Sequence, residues 1–200
     1  MKLEHCNLAF CDHIVFDDDT FAFADHRLNI LVGDNGAGKT SLLNILAGAE
    51  VYAADVHAAG LPPAECVAYQ MQHPSFLDGI HVEEMLALYR LHAGAAAREY
   101  DALSQRLYGL RHSNVHALSG GERRLLAVYG AMILDRSLYL FDEPTSELDE
   151  HNADLVFSLL TRLAGVGRPS SWPPMISTVS ATWMRGRLLS DSTAMIVVGC

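Results

Sequence analysis

The sequence predicts an α/β domain on a mostly parallel core sheet, with an N-terminal antiparallel β-layer and a small helical insert. Three observations carry this expectation. The apolar run Leu28–Val32 opens directly into a glycine-rich stretch, residues 33–40, and then into a helical pattern over 41–47. A second run, Leu138–Phe141, lacks polar alternation, as a strand buried on both faces does, and stops at Asp142, Glu143 and Pro144. Amphipathic stretches at helical spacing separate and follow these runs, so strands and helices alternate along the chain.

Before the first core strand, residues 8–10, 14–16 and 21–23 are short alternating or apolar stretches separated by acidic turns, which predicts the antiparallel layer. Gly33, Asp34, Asn35, Gly36, Ala37, Gly38, Lys39 and Thr40 fit G-x-x-x-x-G-K-[ST]. Chemistry on a polyphosphate needs these residue types. Glycines let backbone N–H groups curl around the phosphates, and the helix that starts at Ser41 adds the positive end of its dipole. Lys39 reaches the terminal phosphates, and the Thr40 hydroxyl holds Mg²⁺. Pro62 and Pro63 mark a turn before a strand over 66–71.

From Pro74 the pattern becomes helical. Val82, Met85, Leu86 and Tyr89 fall at i, i+3, i+4 and i+7, and Ala-rich sequence over 95–110 continues helically. This is the expected insert, about residues 74–118. Ser119, Gly120, Gly121 and Glu122 form an S-x-x-E capping box at the start of another helix. A cap alone does not call for two glycines, which are poor helix formers, but bare N–H groups at a dipole end suit an anion. Leu125, Val128, Tyr129, Met132 and Ile133 line one face of that helix. The acids closing Leu138–Phe141 sit where open α/β sheets bind ligands and are costly there unless paired or bound to a metal. Glu150–Leu163 reads as a further amphipathic helix.

Composition narrows the classes. Two hundred residues, half of them hydrophobic, suffice for one domain with a sizeable core. No apolar run approaches the ~18 residues that cross a bilayer, and the polar start does not read as a signal peptide. A net charge of −10 argues against sequence-independent binding of nucleic acid, which needs basic surface. The four cysteines show neither zinc spacing nor a disulfide framework, which suits a reducing cytosol, and the ten histidines are scattered.

Residues 33–40, Leu118 with Ser119–Glu122, and residues 138–143 followed by 144–149 together resemble the ATP-binding-cassette (ABC) ATPases in content, order and spacing. The resemblance covers residues 1 to about 165 as one ATPase domain and implies a P-loop NTPase core, ATP and Mg²⁺ as ligands, and ATP hydrolysis coupled to transport. It assigns Phe10 to stacking on adenine, residues 33–41 (Ser41 included) to the phosphates, and Gln72 to Mg²⁺ and the attacking water, with Gln70 as the alternative if the register slips by two. It makes Asp142 a Mg²⁺ carboxylate and Glu143 the general base. Ser119, Gly120, Gly121 and Glu122 then serve the γ-phosphate held by a second ATP-binding subunit, identical or different, paired head to tail. Residues 146–149 resemble the family's D-loop, with Glu147 replacing a more usual small residue. A transmembrane permease subunit, touching residues 74–91, is the implied partner, which places the chain in the cytoplasm on the inner face of the membrane.

After Leu163 the resemblance stops. The next core strand should be apolar and end in a switch histidine, yet residues 165–174 are rich in Gly, Pro and Ser. The nearest candidate strand, 175–179, puts Ala181 where the histidine belongs. Joining the third base of each codon from Pro169 to the first two of the next permits Ile-Ile-Leu-Ala-Thr-His-Asp-Leu-Asp. Its Ala and first Asp are forced by the single codons of Trp172 and Met175. Residues 166–200 are therefore expected to be a frameshifted tail, which the coding DNA decides. Such a tail leaves ATP binding intact and weakens hydrolysis, so an impaired cassette is the alternative to a working one. A soluble cassette acting on ribosomes or DNA is the other, disfavoured by the acidic charge.

Overall fold

In chain order the elements are β1 (Lys2–Phe10), β2 (His13–Ala22), β3 (Leu28–Val32), α1 (Lys39–Leu46), β4 (Asp55–Ala59), β5 (Val67–Gln70), α2 (Val82–Ala93), α3 (Asp101–Gly109), α4 (Gly120–Met132), β6 (Leu138–Phe141), α5 (Glu150–Leu163), β7 (Ser180–Trp183) and β8 (Thr193–Val198). The computed structural model describes residues 1–11, 13–25, 27–49, 55–97, 100–165, 180–183 and 193–198. The sequence-predicted strand at 175–179, with Trp172 and Met184, lies outside them.

β1 pairs antiparallel with β2 and with β4, giving a three-stranded layer in the order β2-β1-β4. The core sheet has the order β5-β6-β8-β3-β7. β5 runs parallel to β6 and β3 parallel to β7, whereas β8 lies antiparallel between β6 and β3. Four of the five strands thus run one way, and the fold is the mostly parallel α/β architecture with an antiparallel N-terminal layer that the sequence predicts.

β6 is apolar throughout because both of its faces are covered. Leu138 and Leu140 pack with Leu31, with Leu42, Leu43 and Leu46 of α1, and with Leu3, Leu8, Phe16 and Phe21 of the antiparallel layer. Tyr139 and Phe141, pointing the other way, join Leu86, Leu103, Leu125, Val128, Val156 and Leu160 from the helices. α2 approaches α4 closely at Gly130, where a Cβ would collide with the Tyr89 ring.

Two sequence expectations change in detail. Asp17, Asp18 and Asp19 belong to β2 and are not a turn. Register shifts between Leu3 and Leu8 bulge the hairpin there, with His5 and Asp18 both at positive φ and His5 Nδ1 2.6 Å from Asp18 Oδ1, so the acids stay on the solvent side of a strand. The helical stretch expected over 95–110 is broken. Gly94, at φ 64°, ends α2 and a short 3-10 turn follows, before α3 starts at Asp101.

One buried polar residue sets the approach to β3. Asn29 is fully buried; its Nδ2 donates to the carbonyls of Ala24 (2.9 Å) and Arg27 (3.2 Å), and its Oδ1 accepts from the Ala24 N–H (2.9 Å). Asn29→Ala leaves those backbone groups unpaired in the interior. It is expected to lower unfolding free energy by about 2 kcal/mol, read as a reduced urea midpoint at unchanged slope.

Candidate functional site

The loop between β3 and α1 is held open by its backbone. Gly36 and Gly38 have φ of 82° and 91°, a region that costs other residues strain, and a Cβ on Gly38 would come within 2.5 Å of Val15 Cγ1 and 2.9 Å of Phe16 Cε1. α1 has no side-chain cap at Gly38, so its first-turn N–H groups are left for another acceptor. The Lys39 side chain is buried and its Nζ donates to the carbonyls of Gly33 (2.6 Å) and Asp34 (2.9 Å), closing the loop on its own ammonium.

The end of β6 meets this loop. Thr40 Oγ1 donates to Asp142 Oδ2 at 2.7 Å, and the Asp142 N–H donates to the Gln70 carbonyl at 2.9 Å. Asp142 is only 1% exposed, and burial pushes its carboxyl above the usual range, with Glu143 adding to the rise; the Thr40 hydroxyl, Lys39 and Arg124 oppose it. Two hard oxygens 2.7 Å apart, one on a carboxylate disfavoured by its own burial, fit a Mg²⁺ ion, which would relieve that charge.

Glu143 is held at φ 48°, the left-handed strain that clusters at working sites. Its backbone oxygen accepts from the Ser146 N–H and hydroxyl at 3.1 and 3.0 Å, and Gln72 Nε2 donates to its Oε2 at 3.0 Å. Glu143, Gln72, Lys39, Thr40 and Ser41 line one cleft of about 900 Å³ with Asn35, Gly36 and Gly38. Phe10, 42% exposed, stands at the same cleft beside His13 and Val15 and joins neither hydrophobic cluster. Of the two candidate glutamines it is Gln72 that reaches the cleft. Gln70 is buried at the end of β5, where its amide donates to the Met71 carbonyl and its Oε1 has no partner among the described residues.

The structure does not bring the α4 start to that cleft. Ser119 caps α4 with the capping box intact: Ser119 Oγ accepts from the Glu122 N–H (3.2 Å), and Glu122 Oε2 accepts from the Ser119 N–H (2.8 Å). The Ser119 N–H, then its hydroxyl, hold the Glu122 carboxyl below its ordinary value. Gly120 and Gly121 lie beside Glu147 in a separate depression of about 360 Å³.

One residue escaped the sequence reading. Arg124 is 4% exposed; its Nη1 donates to the Gln72 carbonyl at 2.6 Å and its Nη2 lies 3.8 Å from Glu147 Oε1. It ties α4 to the segment that carries Gln72. The available signal was its place one turn before Val128, on the face that the apolar residues of α4 define.

The ABC transporter family model matches residues 16–146. The chain is 35% identical over 162 residues to the cytochrome c biogenesis ATP-binding export protein CcmA of Rhodopseudomonas palustris (strain BisB5), covering 76% of this chain and 80% of that one. It is 29% identical over 168 residues to the lipoprotein-releasing system ATP-binding protein LolD of Koribacter versatilis (strain Ellin345), covering 74% and 75%. A solved ATP-binding cassette of an ABC transporter superposes with a TM-score of 0.66 at 18% identity, over 92% of this chain and 86% of that one, which speaks for the fold. A cleft built from β3, α1 and the tip of β6, on a chain with these relatives, makes it a member of the ABC transporter family, on the ATP-binding side.

Proposed function

We propose that this chain binds ATP with Mg²⁺ in the cleft beneath Phe10 and hydrolyses it, paired head to tail with a second ATP-binding subunit, to drive a transmembrane permease. The observation that carries the reading is the convergence of the phosphate loop, the Thr40–Asp142 pair and the Gln72–Glu143 pair on one cleft. Phe10 offers a ring face to adenine. The bare N–H groups of α1 take phosphate oxygens, and Lys39 exchanges its two carbonyls for the terminal phosphates. Mg²⁺, when bound, neutralises phosphate charge; Thr40, Asp142 and Gln72 are the residues that hold it. Glu143 accepts a proton from the attacking water, and Gln72, already bonded to Glu143, orients it. Steady phosphate release by the purified chain with ATP and Mg²⁺, abolished by a chelator, tests the reading.

A second reading, a cassette that holds ATP but turns it over slowly, is favoured by what fills the sheet. Between β3 and β6 lies β8, antiparallel to both, and the last histidine of the chain is His151. No switch histidine from a strand in that place then reaches the γ-phosphate. Stoichiometric ATP binding without steady phosphate release is its mark.

The permease contact is proposed on residues 74–91, the first part of the insert. Leu77, Leu88 and Leu91 are 62, 43 and 80% exposed around a groove of about 610 Å³ at α2, more apolar surface than a free helix needs. No helix among the described residues is long and apolar enough to cross a membrane. Leu91→Glu is expected to reduce co-purification with the membrane fraction at least about tenfold and to leave phosphate release by the isolated chain within about twofold.

A further inference from the structure

Glu147 lies with its carboxylate against the first glycine of α4. A Cβ on Gly120 would collide with Glu147 Oε2 and sit 3.1 Å from its Cδ, and one on Gly121 would come within 2.8 Å of the Glu147 carbonyl oxygen. Gly121 is therefore needed to make room for the backbone of residue 147, while Gly120 leaves the space that its carboxylate fills. The backbone there is left-handed, φ 64°, a conformation that strains a non-glycine residue. The carboxylate is 58% exposed and faces the buried Arg124, 3.8 Å away, with Arg106 lining the same depression. A negative charge thus stands at the positive end of a 13-residue helix, beside the Ser119 hydroxyl and the Glu122 carboxylate of the capping box.

We propose that Glu147 is an internal anion that occupies the start of α4 until the terminal phosphate carried by the second subunit displaces it. Its charge then sets how much ATP the pair needs to close. This rests on the head-to-tail reading above. An arriving phosphate meets a like charge in its place, and closing requires the carboxylate to leave Gly120 for the solvent that already borders it. Arg124 moves from sharing Glu147 to facing the phosphate, Asp142 and Glu143, the other charges it senses.

The test is sedimentation across a range of ATP concentrations in a Glu143→Gln background, which keeps ATP from being consumed. Glu147→Gln retains the side-chain length and the strained backbone and removes only the charge. It is expected to lower the ATP concentration for half-maximal pairing about fivefold, with Glu147→Ala shifting it the same way. If pairing remains ATP-driven but its midpoint is unchanged or raised in Glu147→Gln, the proposal is overturned and the head-to-tail reading stands. If the Glu143→Gln protein and both double variants stay monomeric at saturating ATP, the reading itself is overturned and the proposal with it.

Discussion

Glu143→Gln is expected to reduce steady phosphate release at least about a hundredfold while ATP binding stays within about twofold. The substitution keeps the size of the side chain, and an amide oxygen can still accept from Gln72 Nε2, which now lies 3.0 Å away. The hydrogen bonds from Ser146 to the backbone oxygen of residue 143, which hold the strained φ of 48°, are untouched. What is lost is the carboxylate proposed to accept the proton of an attacking water. On the proposed reading, binding rests on the α1 start, Lys39 and Thr40, whose hydrogen bonds to Gly33, Asp34 and Asp142 do not involve the altered carboxyl. Phosphate release at saturating ATP, set beside equilibrium binding of the nucleotide, separates the two effects. A variant that still turns over at more than a tenth of the parental rate would move the proton-accepting role to another residue. The same variant should sediment as a pair only when ATP is present.

The elements that were legible in the sequence are those whose cause is local. The β3–loop–α1 unit follows from an apolar run, glycines at fixed offsets and a helical repeat within twenty residues. The capping box of α4 spans four residues and appears as Ser119 and Glu122 predict. Less legible were features fixed by distant partners. Thr40 finds Asp142 across 102 positions, and Arg124 finds Gln72 across 52. No local pattern encodes such pairs, and Arg124, two residues after the Ser119–Glu122 capping box, acquires its partners only when the fold places it inside. The choice between Gln70 and Gln72 is of the same kind. Alternation along β5 cannot say which residue lies past the strand end, but β5 stops at Gln70, and that turns Gln72 into the cleft. The acids of β2 misled because a run of Asp looks like a turn; the hairpin tolerates them through a bulge that depends on His5 and Asn7 in the opposite strand. The break after α2 had a local sign in Gly94, overridden by the alanines that follow it.

Asp142→Asn should separate stability from activity, in opposite directions. Burial, reinforced by Glu143, raises the Asp142 carboxyl above its unfolded value, so the native state takes up this proton first as pH falls. The ionised side chain therefore opposes folding at neutral pH, and its burden is lifted as pH falls through the raised value. Asparagine removes that charge, and its side-chain oxygen still accepts from Thr40 Oγ1. The nucleotide-free variant is expected to be more stable at pH 7 by about 1 kcal/mol, roughly 2–4 °C in Tm. The advantage over the parent should shrink as pH is lowered towards the ordinary carboxylate range. Hydrolysis moves the other way. On the proposed reading, Thr40 and Asp142 would hold Mg²⁺ together, so without the carboxylate phosphate release should fall at least about a hundredfold. Added ATP and Mg²⁺ should then raise the Tm of the parent more than that of the variant, reversing their order. A variant that is less stable without nucleotide would mean that the Thr40–Asp142 pair serves the fold before it serves the site.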